Sequence, residues 1–300
     1  MQSRQPIDLQ ASGLMVLLCM IWGIQQVVLK LAADDISPLM QIALRCGLSA
    51  LFILPFLRAI PVKVLISSKY LLPGLWLSVL FAAEFLLVAE ALKYTSASHT
   101  VVLLYTAPIF VALGLHWKFP SERLSRLQWG GIFLAFMGIV VAFIGRNQAT
   151  ATSSMLWGDS LALLAGIMWA LTTISLRLSS LAEAPANQTL IYQLVGAFFL
   201  LMPLAYFTGQ DQIHWTAMAI GSMVFHVFVM SLFSLVLWFW LLKNYLANHL
   251  GVFSFLTPIF GMVFGVWLLN EKIELNFIYG AVLVMLGVVC VSLKAWSTKR

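Results

Sequence analysis

Polar and aromatic side chains recur near the middle of several apolar runs in this chain of 300 residues. Amides, hydroxyls, imidazoles and indoles can hydrogen-bond and enclose a small amphiphilic molecule. The same residue types also bridge packed membrane helices, so each residue taken singly has a purely structural alternative. As a set, twelve of these residues are predicted to line a substrate-binding cavity: Trp22, Gln25, Gln26, Glu84, Tyr105, Thr106, Trp169, Thr172, Thr173, His226, Ser254 and Thr257.

Two charged side chains, Arg45 and Glu84, lie inside apolar runs at similar predicted depth. An ionised side chain at the centre of a membrane helix costs at least about 2.5 to 3.5 kcal/mol, so it usually faces a partner or a wet cavity. Either an ion pair or a hydrogen-bonded arginine fixes the second helix against its neighbours, or one of the two residues binds substrate. Glu84 and His226 are also the candidates for a proton-coupling group, because a proton-coupled pump needs a buried titratable side chain.

The stretches HTVVLLYTAPIF, residues 99–110, and HLGVFSFLTPIF, residues 249–260, each place a proline inside an apolar run. Pro108 and Pro258 each remove a backbone hydrogen bond, at a cost of roughly 3 kcal/mol in an ordinary helix. Two interpretations are open for both prolines. They act as hinges that let each half of the chain rock, which is the predicted role, or they form static bends needed for packing.

The composition excludes a water-soluble globule. Hydrophobic residues make up 62% of the chain and charged residues 9%, whereas soluble domains are usually about 25% charged. The apolar runs are close to the roughly 20 residues that cross a bilayer as a helix, without the alternation of membrane strands. The sequence predicts an all-α integral membrane protein with ten transmembrane helices, at about 12–32, 38–58, 70–92, 97–117, 126–145, 157–178, 185–207, 217–242, 248–268 and 275–294.

The sequence carries no motif for chemistry other than transport. Cys19, Cys46 and Cys290 fall inside predicted spans, and their spacing suggests neither a disulfide framework nor a zinc site. Paired carboxylates, a metal-ligand cluster, a nucleophile elbow and a phosphate-binding glycine loop are all missing from the sequence. We therefore predict no catalytic residue, no metal, no cofactor and no nucleic-acid partner. The first apolar run lacks a cleavage site and is interpreted as a retained helix.

The distribution of basic residues predicts the orientation. With a cytoplasmic N-terminus, twelve of the 17 Lys and Arg residues fall on the inside, four fall outside, and Arg45 lies within a span. This bias is the signal of the positive-inside rule. Both termini are therefore predicted to be cytoplasmic, in the cytoplasmic (inner) membrane. The connecting loops are short, so the function must lie within or across the bilayer.

The chain repeats itself. The two quoted stretches are 150 residues apart, and Glu122, Gly131 and Gly138 align with Glu271, Gly280 and Gly287. The repeated unit has five helices, so the second copy, residues 157–295, must cross the membrane in the opposite sense to the first, residues 12–146. Inverted repeats of this kind are a recurring plan of secondary transporters, with substrate bound near the midplane between the halves.

These features resemble the EamA type of the drug/metabolite transporter superfamily. The resemblance rests on Trp22-Gly23 and Trp169-Ala170, on the helices that carry Pro-Ile-Phe, and on the duplicated glutamate-glycine-glycine pattern. It implies ten helices in two inverted repeats and export of small metabolites. In size and layout the chain is most similar to the YddG-like amino-acid exporters. The glutamates that the family shares map to Glu122 and Glu271, at helix ends, where a structural role is expected.

The sequence therefore predicts a secondary transporter that exports small metabolites, amino acids first, by alternating access. Its partners are a small-molecule substrate and the lipid bilayer, and ten helices suffice for a monomer. A broad-specificity efflux protein for drugs or hydrophobic cations is the second transport hypothesis, served by the aromatic residues and Glu84. A lipid scramblase or a membrane enzyme is the alternative from a different class. The sequence contains no ATP site, so active transport would draw on an ion gradient.

Overall fold

The computed structural model describes residues 8–58, 60–118, 124–144, 153–245, 250 and 253–292. Within these ranges the chain is built from helices, with one isolated bridge between Ile36 and Ile213. The main helices are α1 (Leu9–Leu31), α2 (Pro38–Ile53), α3 (Ser68–Tyr94), α4 (Ala97–Leu104), α5 (Ala107–Lys118), α6 (Arg126–Ile144), α7 (Ser153–Leu178), α8 (Ala186–Phe207), α9 (Ala217–Val224), α10 (Ser234–Asn244), α11 (Leu256–Leu269) and α12 (Leu275–Ser292). A π-helix, Phe225–Phe233, joins α9 to α10.

Seven helical stretches of the described residues are long and apolar enough to cross a membrane: Leu9–Leu31, Pro38–Leu57, Ser68–Tyr94, Ala97–Lys118, Ser153–Leu178, Ala186–Phe207 and Ala217–Trp238. Three shorter apolar helices are Arg126–Ala142, Leu256–Leu269 and Leu275–Val291. Each stretch overlaps one of the ten predicted spans. The ends of the spans predicted at 126–145, 248–268 and 275–294, and of both predicted repeats, lie outside the described residues. A full crossing by the three shorter helices stays a prediction.

The exterior of the helix bundle is apolar. Large side chains such as Phe133, Phe199 and Phe207 are more than half exposed although they belong to long helices. Trp117 and Trp267, predicted near helix ends, are also exposed, as expected for an aromatic belt. Lipid tails can solvate such a surface, whereas water cannot do so without a large hydrophobic cost.

Local sequence explains where several helices begin. Asp8, Ser37, Ser96 and Thr216 each accept a hydrogen bond from the backbone N–H three residues later, as N-cap side chains do. Pro38 occupies the first position of α2, where its missing N–H has no intrahelical partner to lose. These caps satisfy polar backbone groups that would otherwise be exposed near the membrane.

Two helices break where the sequence predicts bends. The helix predicted at 97–117 is interrupted at Tyr105 and Thr106, between α4 and α5, and turn residues Ser254 and Phe255 precede α11. The breaks lie just before Pro108 and Pro258, which lack the N–H groups that would donate to the carbonyls four residues earlier in an unbroken helix. The prolines therefore coincide with real interruptions, and whether these interruptions move stays a prediction.

Close contact between α6 and α12 depends on glycine. An added Cβ on Gly131 would lie 2.8 Å from the carbonyl oxygen of Gly287, and one on Gly138 would lie 2.6 Å from that of Gly280. The two helices thus approach through four small residues, as small-residue interfaces do in membranes. The glycines that aligned as a sequence repeat are the same residues that meet across this interface.

Candidate functional site

A cavity of about 440 Å³ lies among α1, α3, the α4–α5 break, α7, the π-helix, α10 and the turn before α11. This volume is in the range of small-molecule sites. The residues that line it are Trp22, Gln25, Gln26, Glu84, Phe85, Leu104, Tyr105, Pro108, Trp169, Met230, Trp238, Ser254 and Phe255.

Both helix breaks open onto this cavity. Leu104, Tyr105 and Pro108 line it from one break, and Ser254 and Phe255 line it from the other. Discontinuous helices at such a site are a recurring feature of transporters, because unwound backbone is tolerated in a membrane only where it faces protein or a cavity. The prolines that cost helix stability therefore place irregular backbone at the candidate site.

Aromatic rings form much of the cavity wall and support one another. Trp22 and Trp238 meet edge to face with ring centroids 5.5 Å apart, and Tyr105 and Trp169 do so at 5.1 Å. The indole N–H of Trp22 donates to the hydroxyl of Ser234 at 3.4 Å. These contacts fix the rings as walls for an apolar or cationic group.

Polar atoms without protein partners mark the same region. The side-chain nitrogen of Gln25 and the side-chain oxygen of Gln26 are buried and make no hydrogen bond. Buried polar groups usually find a partner, and an orphan in a cavity indicates water or ligand. Glu84 is 6% exposed and is the one charged side chain among the described residues that line the cavity.

The structure brings together seven of the twelve predicted site residues, together with the predicted hinge Pro108. The seven are Trp22, Gln25, Gln26, Glu84, Tyr105, Trp169 and Ser254. The other five, Thr106, Thr172, Thr173, His226 and Thr257, are not among the lining residues. Pro258 lies in α11 and is likewise outside the lining.

The residues outside the lining are bonded within their own helices or fully buried, and the Thr257 hydroxyl and the Nε2 atom of His226 make no hydrogen bond. The hydroxyls of Thr106, Thr172 and Thr173 donate to carbonyls three or four residues earlier in their own helices. His226 is fully buried, with Nδ1 2.8 Å from the carbonyl oxygen of Ser222. Thr257 is also fully buried, and its carbonyl oxygen faces Gly23 of α1.

Five lining residues were missed from the sequence, and all five are apolar or aromatic: Phe85, Leu104, Met230, Trp238 and Phe255. Phe85, Leu104 and Phe255 each adjoin a predicted site residue in the sequence, so this proximity could have indicated that they line the cavity. No feature of the sequence indicated that Met230 and Trp238 line the cavity. Met230 lies in the π-helix, and Trp238 follows it, so the helical register that aims them at the cavity is not visible in the sequence.

Arg45 lies behind the cavity wall rather than in it. Its guanidinium carbon is 4.5 Å from the centroid of the Phe85 ring, and the residue is 4% exposed. The direct ion pair with Glu84, one of the two interpretations drawn from the sequence, is not formed within 4.0 Å. Phe85 follows Glu84 in α3, and its ring lies over the cation.

Glu271 has the structural position expected for it. Its carboxylate accepts hydrogen bonds from the backbone N–H groups of Ala97 and Ser98, at 2.7 and 3.0 Å, and from the Ser98 hydroxyl. It therefore caps the N-terminus of α4, where a negative charge is favoured. Glu122, the equivalent residue in the first half, lies outside the described residues.

Comparison with known proteins agrees with this architecture. The EamA-like transporter family matches residues 10–144 and 156–293. The uncharacterised transporter YoaV of Bacillus subtilis is 26% identical over 272 residues, which cover 90% of this chain and 92% of that protein. The probable amino-acid metabolite efflux pump of Salmonella typhimurium is 29% identical over 284 residues, covering 91% and 92%. A crystal structure shares the fold, with a TM-score of 0.65 and 14% identity over 98% of this chain and 100% of the other.

Because the family match takes in nearly the whole chain, the protein belongs to the EamA-like transporter family of the drug/metabolite transporter superfamily, and it is an integral membrane transporter rather than an enzyme.

Proposed function

We propose that this protein is a secondary transporter that exports small metabolites, amino acids first, by alternating access around the cavity described above. The observation that carries the proposal is the cavity itself, because it joins two broken helices, aromatic walls, unpartnered amides and one carboxylate. A site with these groups can hold an amine and an apolar side chain together. No group at the site suggests covalent chemistry.

We further propose ten spans arranged as two inverted repeats, residues 12–146 and 157–295. The two ranges of the family match support this division. The glycine contacts between α6 and α12 support it too. Gly131 meets Gly287 and Gly138 meets Gly280, and exchanging each glycine for its repeat equivalent turns one contact into the other. A pseudo-twofold axis between the halves would produce this pattern.

The lining residues have distinct proposed roles. Glu84 would hold the substrate ammonium, the amides of Gln25 and Gln26 would complete the polar contacts, and the ring wall would enclose the apolar part. Thr106, Thr172, Thr173, His226 and Thr257 are proposed to approach the substrate in another state of the cycle. Movement about Pro108 and Pro258 would connect the two states.

Two observations support amino acids as the first substrates to test. The cavity combines a carboxylate with neutral amides, which suits a small zwitterion with an apolar side chain. In addition, the similar proteins of Salmonella typhimurium and Escherichia coli are named as probable amino-acid metabolite efflux pumps. We also propose that the protein acts as a monomer in the inner membrane, with both termini cytoplasmic.

The test is uptake of radiolabelled threonine, methionine, phenylalanine and tryptophan into liposomes that contain the purified protein. Empty liposomes give the background, and the assay is run with and without an imposed pH gradient. We expect saturable uptake of at least one amino acid, and a response to the gradient would indicate proton coupling. Failure of all four amino acids to exceed the background would reject amino acids as substrates.

Glu84→Gln tests the proposed role of the carboxylate. We expect this variant to lose at least roughly tenfold in uptake, because a hydrogen bond to a charged group contributes about 1.5 to 3 kcal/mol. Glu183→Gln is the matched control, since Glu183 is exposed and lies outside the cavity. Equal uptake by the two variants would remove Glu84 from the binding site.

Efflux of hydrophobic cations is the second candidate function. It is favoured by one observation, that the only charged side chain among the described lining residues is a carboxylate surrounded by aromatic rings. Competition between tetraphenylphosphonium and labelled phenylalanine separates the candidates. Transport of the cation without transport of any amino acid would favour the second.

A further inference from the structure

Arg45 is a buried cation with unmet hydrogen-bonding capacity. It is 4% exposed, its Nε atom has no hydrogen-bond partner, and it forms no salt bridge within the part of the chain that the structure describes. The Nε–H of an arginine is a hydrogen-bond donor, and leaving it unpaired inside a membrane protein is costly. Such a residue is expected to meet an anion at some stage of its function.

The next turn of α2 after Arg45 contributes a second hydrogen-bond donor that has no partner. Ser49 lies four residues after Arg45, on the same face of the helix, and it is fully buried. Its hydroxyl makes no hydrogen bond, whereas the hydroxyls of Ser78 and Thr172 donate to carbonyls four residues earlier in their helices. The Nε–H of Arg45 and the hydroxyl of Ser49 are therefore a pair of buried donors without an acceptor on one face of α2.

Phe85 lies between Arg45 and the cavity. Its ring stacks on the Arg45 guanidinium at 4.5 Å and also lines the cavity, whereas Arg45 and Ser49 are not lining residues. The carboxylate of Glu84, one residue earlier in α3, reaches the cavity. Glu84 and Arg45 thus form no ion pair with each other, and the aromatic ring that follows Glu84 in α3 covers the cation.

We propose that Arg45, assisted by Ser49, binds the carboxylate of an amino-acid substrate when the Phe85 ring turns aside. The substrate would then be held at both charged ends, with its ammonium on Glu84 and its carboxylate on Arg45. The planar guanidinium suits this role because it can donate two parallel hydrogen bonds to one carboxylate. A decarboxylated amine would need Glu84 alone. This inference rests on the proposed function.

A pair of labelled substrates tests the inference: phenylalanine and phenethylamine, which differ by the carboxylate. The assay is uptake into liposomes that contain the full-length protein, with Arg45→Met, Arg45→Lys and Glu84→Gln beside the wild type. We expect Arg45→Met to lose at least roughly tenfold in phenylalanine uptake and to change phenethylamine uptake by less than about twofold. Arg45→Lys should keep part of the phenylalanine uptake, and Glu84→Gln should reduce uptake of both compounds.

Arg58→Met is the matched control, because Arg58 is exposed and lies outside the cavity. Phenethylamine uptake also reports whether Arg45→Met is folded and inserted. Equal loss of both compounds in Arg45→Met, or no loss of phenylalanine uptake, would overturn the role of Arg45. Absence of wild-type uptake of both compounds would overturn this inference, whereas the proposed amino-acid transport fails only when threonine, methionine and tryptophan also stay at the background. Wild-type uptake of phenethylamine alone would reject phenylalanine as a substrate and would overturn the carboxylate site.

Discussion

Asp159 and His99 form a buried polar contact between α7 and α4. The Nδ1 atom of His99 lies 3.1 and 3.2 Å from the two carboxylate oxygens of Asp159, and the Thr95 hydroxyl donates to the same carboxylate. The imidazole of His99 stacks on the ring of Phe277 with centroids 3.6 Å apart. At the scale of single residues, this cluster and the Glu271 cap tie the second half of the chain to the start of α4.

Removing the carboxylate should destabilise the protein strongly. Asp159→Ala leaves the Thr95 hydroxyl and the His99 ring without this partner in a fully buried position. Leaving a buried hydrogen-bond donor without its partner typically costs about 1 to 3 kcal/mol. We expect a clearly lower midpoint of thermal unfolding in detergent.

The matched control for Asp159→Ala is Asp34→Ala, because Asp34 is exposed in the loop after α1. Equal midpoints for the two variants would show that the buried cluster contributes nothing to stability.

At the scale of helices, the breaks and the glycine contacts determine the shape of the site. The breaks before Pro108 and Pro258 open two helices onto the cavity, and the π-helix changes the register of the stretch that carries Met230. Elsewhere α6 and α12 pack without a gap because glycine lets their backbones meet. The bundle therefore contains one closely packed helix pair, α6 and α12, and a separate region where the broken helices surround the cavity.

Two neighbouring glycines of α6 should respond differently to the same substitution. A Cβ on Gly131 would lie 2.7 Å from the Cβ of Cys290 and 2.8 Å from the carbonyl oxygen of Gly287, whereas a Cβ on Gly130 meets nothing within 4 Å. We expect Gly131→Ala to cost about 1 to 3 kcal/mol through overpacking. Gly130→Ala should be neutral or stabilising, since alanine favours the helix.

The measurement for this pair is the midpoint of thermal unfolding of both variants in the same detergent. Equal behaviour of Gly131→Ala and Gly130→Ala would contradict the close approach of α6 and α12.

At the scale of the whole molecule, the proposed threading places the loops on two sides of the membrane. The stretch between α8 and α9 contains the exposed residue Gln212, and the stretch between α7 and α8 contains the exposed residue Glu183. From the excess of Lys and Arg we predict that the Glu183 side is cytoplasmic and the Gln212 side is exterior. One helix, α8, separates the two positions.

Cysteine labelling tests this orientation. In a background without Cys19, Cys46 and Cys290, a membrane-impermeant maleimide added to intact cells should label Gln212→Cys and leave Glu183→Cys unlabelled. Permeabilised cells should show labelling of both variants, which controls for reactivity. The reverse pattern in intact cells would invert the threading, and labelling of both variants in intact cells would contradict a crossing by α8.

The sequence by itself determined the class of the protein and much of its local structure. A chain with 62% hydrophobic residues can be solvated only by lipid, and its apolar runs correspond to the helices of the structure. Pro108 and Pro258 indicated where the two helices break, because proline lacks a backbone N–H. The residues that aligned as a repeat included the glycines of the α6–α12 contact. Polar and aromatic residues inside the apolar runs also indicated the position of the cavity. Seven of the twelve residues selected in this way line it.

Only the tertiary structure decided which way each side chain faces. In a membrane protein the lipid-facing and protein-facing sides of a helix are both apolar, so hydrophobic periodicity does not show the direction of the core. Successive residues of an α-helix differ by about 100°, and the π-helix alters this register. For this reason Thr172 and His226 lie outside the cavity lining, Met230 and Trp238 line it, and Arg45 stacks on Phe85 instead of pairing with Glu84.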